Sequence, residues 1–527
     1  MSMKTLRNQF LWIPLCAITV AHFGCGRQDA PFQEVGSAIQ SPDEQRPDSD
    51  EVDVDSTAPL PSMQEDAPSN PPTSEERPDE VSRGLPNFGA PNLQPPMEKS
   101  AAPMAEVEKP APTPLAEGYA EVKVFYGTDR APVVAGLDGF RKIAATFATS
   151  FMSAAVALLL FISARFVKSR RLLLGTLTVL SSAATVFLAY GTLHRLNRQR
   201  VAAERDSIYY GTVRGELEYG VATVSIPVAH EMGKLEAPSI LRLEFKEDPT
   251  QHVVLLNVSR RSEEVFFLEL DDKMRESSER ELFLFVHGFN LTFEDAVRRT
   301  AQIAYDMEFT GAPIAYSWPS QGSILGYTAD EESIKYTTEH LKEFILTIKN
   351  KNPTATINLV AHSMGNRAMT VVLKEIAIAQ GQTDSPAKMF NEVVLAAPDV
   401  DADVFKQRIV SKPSIMNVAN RVTLYASSND KALLMSKRVH GFRRAGESGD
   451  GLVVIPGVDT IDVSQIDLSI LGHNYYGDNQ AIIQDLKHAM ILRKDAGQRQ
   501  WLRAMDFADE LKYWFYPKSV GPSPEVP

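Results

Sequence analysis

Cysteine is nearly absent from this sequence: among 527 residues only Cys16 and Cys25 occur, both in the first 25 positions. The chain beyond them has no means of building a disulfide framework or a thiolate-ligated metal site. Also missing are a Gly-rich phosphate loop ending in Gly-Lys-Ser/Thr, a His-Glu-x-x-His zinc helix and a dinucleotide fingerprint, so no cofactor and no metal are expected. Positive charge is in deficit, with 54 Lys and Arg against 67 Asp and Glu and a net charge of −13. A nucleic-acid-binding face would be basic, so no nucleic-acid partner is expected. No internal repeat with a solenoid's period is present.

The acidity is local. Residues 28–118 hold 19 Asp or Glu against 5 Lys or Arg, 17 of the 33 prolines and almost no aromatics. Such a composition cannot bury enough apolar surface to offset chain entropy, and 26–118 is expected to be a disordered acidic tether. The rest of the chain is close to neutral.

Three apolar stretches imply a membrane. The first 25 residues place Lys4 and Arg7 before an apolar run from Phe10 to Val20 and end in small and turn residues, the layout of a secretory signal. His22-Phe23-Gly24-Cys25 resembles a lipoprotein cleavage box with His22 in place of the usual aliphatic residue. Lipidation of Cys25, ordinary cleavage and an uncleaved anchor all stay open. Further on, 143–164 and 172–193 are each 22 residues without a charge, long enough to cross a hydrocarbon core of about 30 Å. They are expected to form a transmembrane helical hairpin over 143–193, with the bilayer as a partner. Its tip carries Arg165, Lys168, Arg170 and Arg171, which puts the tip in the cytoplasm and the C-terminal domain on the extracytoplasmic side.

From 206 onward apolar strands alternate with helices. Strands are expected at 221–226, 241–245, 253–258, 282–286, 314–318, 357–361, 392–397 and 422–426, and helices at 293–307, 333–349, 364–379 and 479–492. This is the pattern of an α/β fold, a mostly parallel sheet with helices on both faces, whose function belongs at the C-terminal strand ends. The domain is expected to span 206–515, with a first strand at 119–135 ahead of the hairpin and a flexible tail at 516–527.

One strand end carries Ala361-His362-Ser363-Met364-Gly365. Small residues two before and two after the serine let strand and helix approach while Ser363 projects from a strained turn, the layout of a nucleophile elbow. Another strand ends in His287-Gly288-Phe289-Asn290. Acyl transfer needs two donors for the developing oxyanion, and the backbone N–H groups of Met364 and Phe289 are the candidates, with His287, Gly288 and Gly365 in support. A nucleophilic serine also needs a base and an acid that fixes the tautomer of the base. Asp430, after the strand at 422–426, is the candidate acid, with Asp399 as the alternative. Of the histidines that follow, His488 lies within a helix and His440 is only ten residues beyond Asp430, leaving His473 as the candidate base. The acid pairs Asp271-Asp272 and Glu331-Glu332 read as solvated turn and helix faces.

Taken with Phe125-Tyr126-Gly127-Thr128-Asp129-Arg130 and Ser428-Asn429-Asp430-Lys431-Ala432, these motifs resemble an uncharacterised, esterase- or lipase-like bacterial branch of the α/β-hydrolase superfamily. The resemblance covers 119–132 and 206–492. The inserted hairpin departs from it, and Ala361 stands where the elbow's first glycine would be. Together with the expected hairpin, the resemblance implies a membrane-anchored serine hydrolase acting on a small-molecule or lipid ester or thioester. A catalytically inactive binding module in the cell envelope is the alternative, and peptidase or acyltransferase chemistry would use the same machinery.

Overall fold

The computed structural model describes residues 118–133, 207–238, 244, 246–323, 326–381, 388–466 and 480–517, and within the expected hairpin 152, 155–156, 158–159, 175–182 and 185. All lie in the second of two units of the chain, Met104–Pro527. The signal-like segment, the acidic tether, most of the hairpin, nearly all of the strand expected at 241–245, and His473 fall outside the described residues.

The chain runs β1 (Tyr119–Pro132), β2 (Tyr210–Pro227), β3 (Val254–Arg261), α1 (Glu263–Met274), β4 (Glu281–Val286), α2 (Phe293–Asp306), β5 (Ala312–Ser317), α3 (Tyr327–Lys351), β6 (Thr356–His362), α4 (Gly365–Gln380), β7 (Phe390–Ala396), β8 (Ala419–Ala426), α5 (Lys431–His440), β9 (Asp459–Asp462), α6 (Gln480–Met490), β10 (Arg503–Asp506) and β11 (Lys512–Phe515), with short helical turns between β7 and β8. The described strands form one sheet in the order β10-β11-β9-β8-β7-β6-β4-β5-β1-β2-β3. Pairing is parallel from β1 through β9 and between β9 and β11, and antiparallel at β1-β2, β2-β3 and β10-β11.

Residue chemistry explains the layering. Every residue of β4 and β5 is buried, and a strand covered on both faces needs a continuous apolar run rather than an alternating one. Successive side chains point to opposite faces. Leu282, Leu284 and Val286 accordingly pack with Phe266 of α1, Leu341 and Phe344 of α3 and Met369 and Leu373 of α4. Phe283 and Phe285 pack the other way, with Ile303 of α2, Met307 at its C-cap, and Leu486 and Met490 of α6. Helix α2 starts at a capping box, in which the Thr292 hydroxyl accepts from the Asp295 N–H while the Asp295 side chain accepts from the Thr292 N–H.

Strands β1 and β2 pair from Tyr119↔Pro227 to Pro132↔Tyr210, and the Val133 N–H donates to the Tyr209 carbonyl at 2.8 Å. The interval 134–206 therefore leaves and re-enters the sheet at neighbouring points. Among the described residues no helix is long and apolar enough to cross a membrane. Those described within the hairpin interval are helical, and Leu158, Leu159, Val179 and Leu180 among them are 59 to 68% exposed.

Two helices were not expected from the sequence. Helix α1 reads EEVFFLELDDKM, and its five acids break the apolar period even though Phe266, Phe267, Leu270 and Met274 are buried. The Ser262 hydroxyl caps it by accepting from the Val265 N–H. Helix α5 is short and buries only Leu433 and Ser436.

Candidate active site

Strand β6 ends at His362 and α4 begins at Gly365, so Ser363 occupies the sharp turn between them. Its φ is +49°, a left-handed conformation that costs a non-glycine residue about 1–3 kcal/mol and persists only where the surroundings over-determine it. Those surroundings are visible. The Ser363 N–H donates to the Ala396 carbonyl at 2.9 Å, and the Ser363 carbonyl accepts from the N–H groups of Asn366 at 3.1 Å and Asp399 at 3.2 Å. The buried Asn366 amide donates to the carbonyls of Ala361, Ser363 and Ala396 at 3.1 to 3.2 Å. One side chain thus staples the strand, the turn and the neighbouring strand.

The loop after β4 lies directly against this turn. A β-carbon added to Gly288 would come within 3.0 Å of Cβ of Ser363 and 2.8 Å of Nδ1 of His362. One added to Gly365 would come within 2.5 Å of the His287 carbonyl oxygen. Both positions exclude a side chain, which is the physical content of the two glycines. Ala361 is fully buried. The ring of Phe289 packs edge-on to Tyr327 with centroids 5.1 Å apart. Ser363, Met364, Gly365, His287, Gly288 and Phe289 are therefore gathered at the C-terminal ends of β4 and β6.

His287 is fully buried and stacks on Trp318 at a centroid distance of 5.0 Å. Its Nδ1–H donates to the Gly288 carbonyl at 2.8 Å. Burial, reinforced by the nearby Arg130 cation, pushes its pKa down to about 3, so it stays neutral and shapes the loop without relaying protons.

Asp430 ends the segment after β8 and caps α5, its carboxylate accepting from the Leu433 N–H at 2.9 Å. Strand β8 lies two positions from β6 in the sheet, a separation of about 10 Å at one strand spacing each that an intervening imidazole can span. The segment before Asp430 is tied to the end of β9: the Ser428 N–H donates to the Ser464 hydroxyl at 2.9 Å and the Asn429 amide to the Ser464 carbonyl at 2.7 Å. The described chain stops two residues later, at Ile466, and resumes at Gln480. His473 belongs to that interval, outside the described residues.

Asp399 has different surroundings. It is 3% exposed, and its carboxylate receives Arg367 at 2.8 Å and Arg444 at 2.9 Å, the Tyr327 hydroxyl at 3.3 Å and the Ser436 hydroxyl. His440 closes α5, ten helical residues and about 15 Å from Asp430, and its Nε2 meets Glu331 at 2.8 Å. Glu331 also receives Arg367 at 2.7 Å. The reading of Glu331 as a solvated helix face is thus corrected: Arg367 and His440, from two other elements, hold it in a polar cluster beside the elbow.

Sequence reasoning gave no role to Arg130, Asp330 or Asn366. Arg130 is buried and donates to carbonyls of three different segments. Asp330 accepts from the Ser320 hydroxyl at 2.6 Å, the Gln321 N–H at 2.7 Å and the Asn290 N–H at 3.5 Å, and burial raises its pKa against those hydrogen bonds. A signal existed for Arg130, the last residue of the Phe125 to Arg130 motif, but nothing in the sequence says what its guanidinium would reach. Among the described residues no group of His, Cys, Asp and Glu is placed to hold a metal ion.

Residues 262–491 match the model of a family described as alpha/beta hydrolase of unknown function (DUF900). This part of the chain is α/β-hydrolase-like. The match runs from the start of α1 through α6, and so includes both loops that meet at Ser363. The chain is also 29% identical over 80 residues to an uncharacterised protein, alr1448, of Nostoc sp. (strain PCC 7120), over 15% of this chain and 20% of that relative. It thus spans about a fifth of the length of the curated relative it matches. No solved structure matches.

Proposed function

We propose that this protein is a serine hydrolase that cleaves a carboxylic ester or thioester through an acyl-enzyme. The observation that carries the reading is Ser363 at a φ of +49°, over-determined by Asn366 and facing Gly288 across a gap with no room for a side chain. In this mechanism Ser363 Oγ attacks the carbonyl carbon as His473 takes its proton. Asp430 accepts a hydrogen bond from the other ring nitrogen of His473 and fixes the tautomer. The N–H groups of Phe289 and Met364 stabilise the oxyanion. Collapse of the tetrahedral intermediate expels the alcohol or thiol, which takes the proton from His473. Water then repeats the sequence and frees the acid.

Against the alternative of an inactive binding module stands the strain retained at Ser363, which glycine would relieve in a merely structural turn. Treating the full chain with a fluorophosphonate probe and with p-nitrophenyl esters of varied chain length tests the reading. Ser363→Ala is expected to abolish labelling and turnover while leaving the melting temperature close to wild type. Wild-type-like turnover in that variant would refute the assignment.

The same reading places the enzyme at a membrane through a hairpin at 143–193, with its active site on the extracytoplasmic face. The uncharged lengths of the two runs and the exposure of Leu158, Leu159, Val179 and Leu180 support it. Alkaline phosphatase fused after Pro527 is expected to be active. A bright cytoplasm-only fluorescent fusion with no phosphatase signal would reverse the topology.

A further inference from the structure

We propose that Arg130 is a positioning residue for the oxyanion loop, holding the Phe289 amide in register with Ser363 by gripping the loop on both sides of that residue. The inference rests on the serine-hydrolase reading above. Arg130 lies at the end of β1 and is 1% exposed. Its Nη2 donates to the Leu291 carbonyl at 2.8 Å and lies 3.5 Å from Nε2 of His287. Leu291 is two residues after Phe289 and His287 two before it, so one guanidinium edge brackets the amide. The other nitrogens anchor that edge: Nε donates to the Ser317 hydroxyl at 2.9 Å, and Nη1 to the carbonyls of Gly211 at 2.9 Å and Ser320 at 3.0 Å.

Two features distinguish this from ordinary packing. The guanidinium donates directly to three carbonyl oxygens and one hydroxyl, all neutral acceptors, while the nearby carboxylates of Asp129, Asp330 and Asp295 offset its charge, so its directed hydrogen bonds go to backbone positions rather than to a charge partner. The planar fork of an arginine can also fix several acceptors at set angles, whereas a lysine offers one mobile ammonium. The grip joins the oxyanion loop to β1 just before the chain leaves at 133 and to Gly211 just after it returns. Whatever occupies 134–206 is thereby attached to a sheet edge that is itself fixed relative to the site.

The test compares full-length wild type, Arg130→Lys and Arg130→Met by ester kinetics, by affinity for a trifluoromethyl ketone that forms a tetrahedral adduct at the serine, and by hydrogen exchange over 287–291. A misplaced donor costs about 10- to 100-fold in rate. Both variants are expected to lose that much kcat with KM nearly unchanged, to lose ketone affinity by the same factor, and to exchange faster at 287–291 with β4 and β6 still protected. Lysine is not expected to rescue. Arg499→Lys removes another fully buried guanidinium, one that serves Asp485, and controls for general destabilisation. Wild-type kcat and exchange in Arg130→Lys, or a kcat loss no larger than that of Arg499→Lys at equal melting temperature, would overturn the proposal. Faster exchange at 287–291 with no turnover in any form, wild type included, would uphold the positioning and refute the hydrolase reading instead.

Discussion

Asp399 and Asp430 follow adjacent strands at the same edge of the sheet, and their surroundings give them opposite expected phenotypes. Asp399 is enclosed by Arg367, Arg444, Ser436 and Tyr327. Removing its charge leaves two cations short of a partner, and breaking a buried pair costs roughly 3–5 kcal/mol. Asp399→Asn is therefore expected to lower the melting temperature markedly. Asp430 instead accepts a helix-capping hydrogen bond from Leu433, a task that asparagine performs equally well. Asp430→Asn should melt near wild type while turnover falls by orders of magnitude, because the amide would favour the wrong His473 tautomer. Paired thermal melts and ester assays separate the two, and a catalytic loss confined to Asp399→Asn would move the acid to that residue.

At the scale of elements, the antiparallel β1-β2 pair settles how an interval of more than 70 residues can interrupt a domain. Pro132 lies opposite Tyr210 and Val133 bonds to Tyr209, so the two roots of the insertion are already within hydrogen-bonding distance. Replacing 134–206 with a short Asn-Gly turn would close a hairpin whose register exists, and loop-length changes of this kind alter closure entropy only slowly. The excised protein is expected to fold, to retain the Arg130 bond to Gly211 and to keep its activity on a soluble ester. Loss of cooperative unfolding by calorimetry would show that the insertion contributes to the domain's core.

The stability of the whole domain should carry a pH signature from one histidine whose side chain is enclosed. His230, in the turn after β2, places Nδ1 2.7 Å from Glu236 and Nε2 2.8 Å from Asp306 of α2. Burial alone would lower its pKa, but hydrogen bonds and charge from Asp306 and Glu236 outweigh that and hold it at about 9. Because the folded value is raised above the ordinary 6.5, the folded state binds the extra proton. The stabilisation is fully present below pH 6.5 and is lost as pH rises through about 9. Glu236 is shifted the other way, its pKa lowered by the same contact. Urea unfolding between pH 6 and 10 is expected to show stability falling across that window, with a much flatter profile in His230→Gln. An unchanged slope in the variant would remove His230 as the source.

Part of this protein was legible in its sequence. The apolar runs of β4 to β8 identify a parallel sheet because a strand covered on both faces can hold a polar residue only where a buried partner meets it, as Arg421 and Thr423 meet Glu392. The small residues around Ser363 mark a tight strand-to-helix turn because the chains approach too closely for anything larger. Those are local constraints, written within a few residues of one another. Helix α1 stayed hidden because its acids interrupt the period while its burial is decided by β2 and α3, far away in sequence. The separate fates of Asp399 and Asp430, the pairing of Glu331, and the reach of Arg130 from β1 to Leu291 were decided only by tertiary structure. Each depends on side chains that meet across 32 to 161 positions of chain, and neither periodicity nor local spacing encodes such meetings.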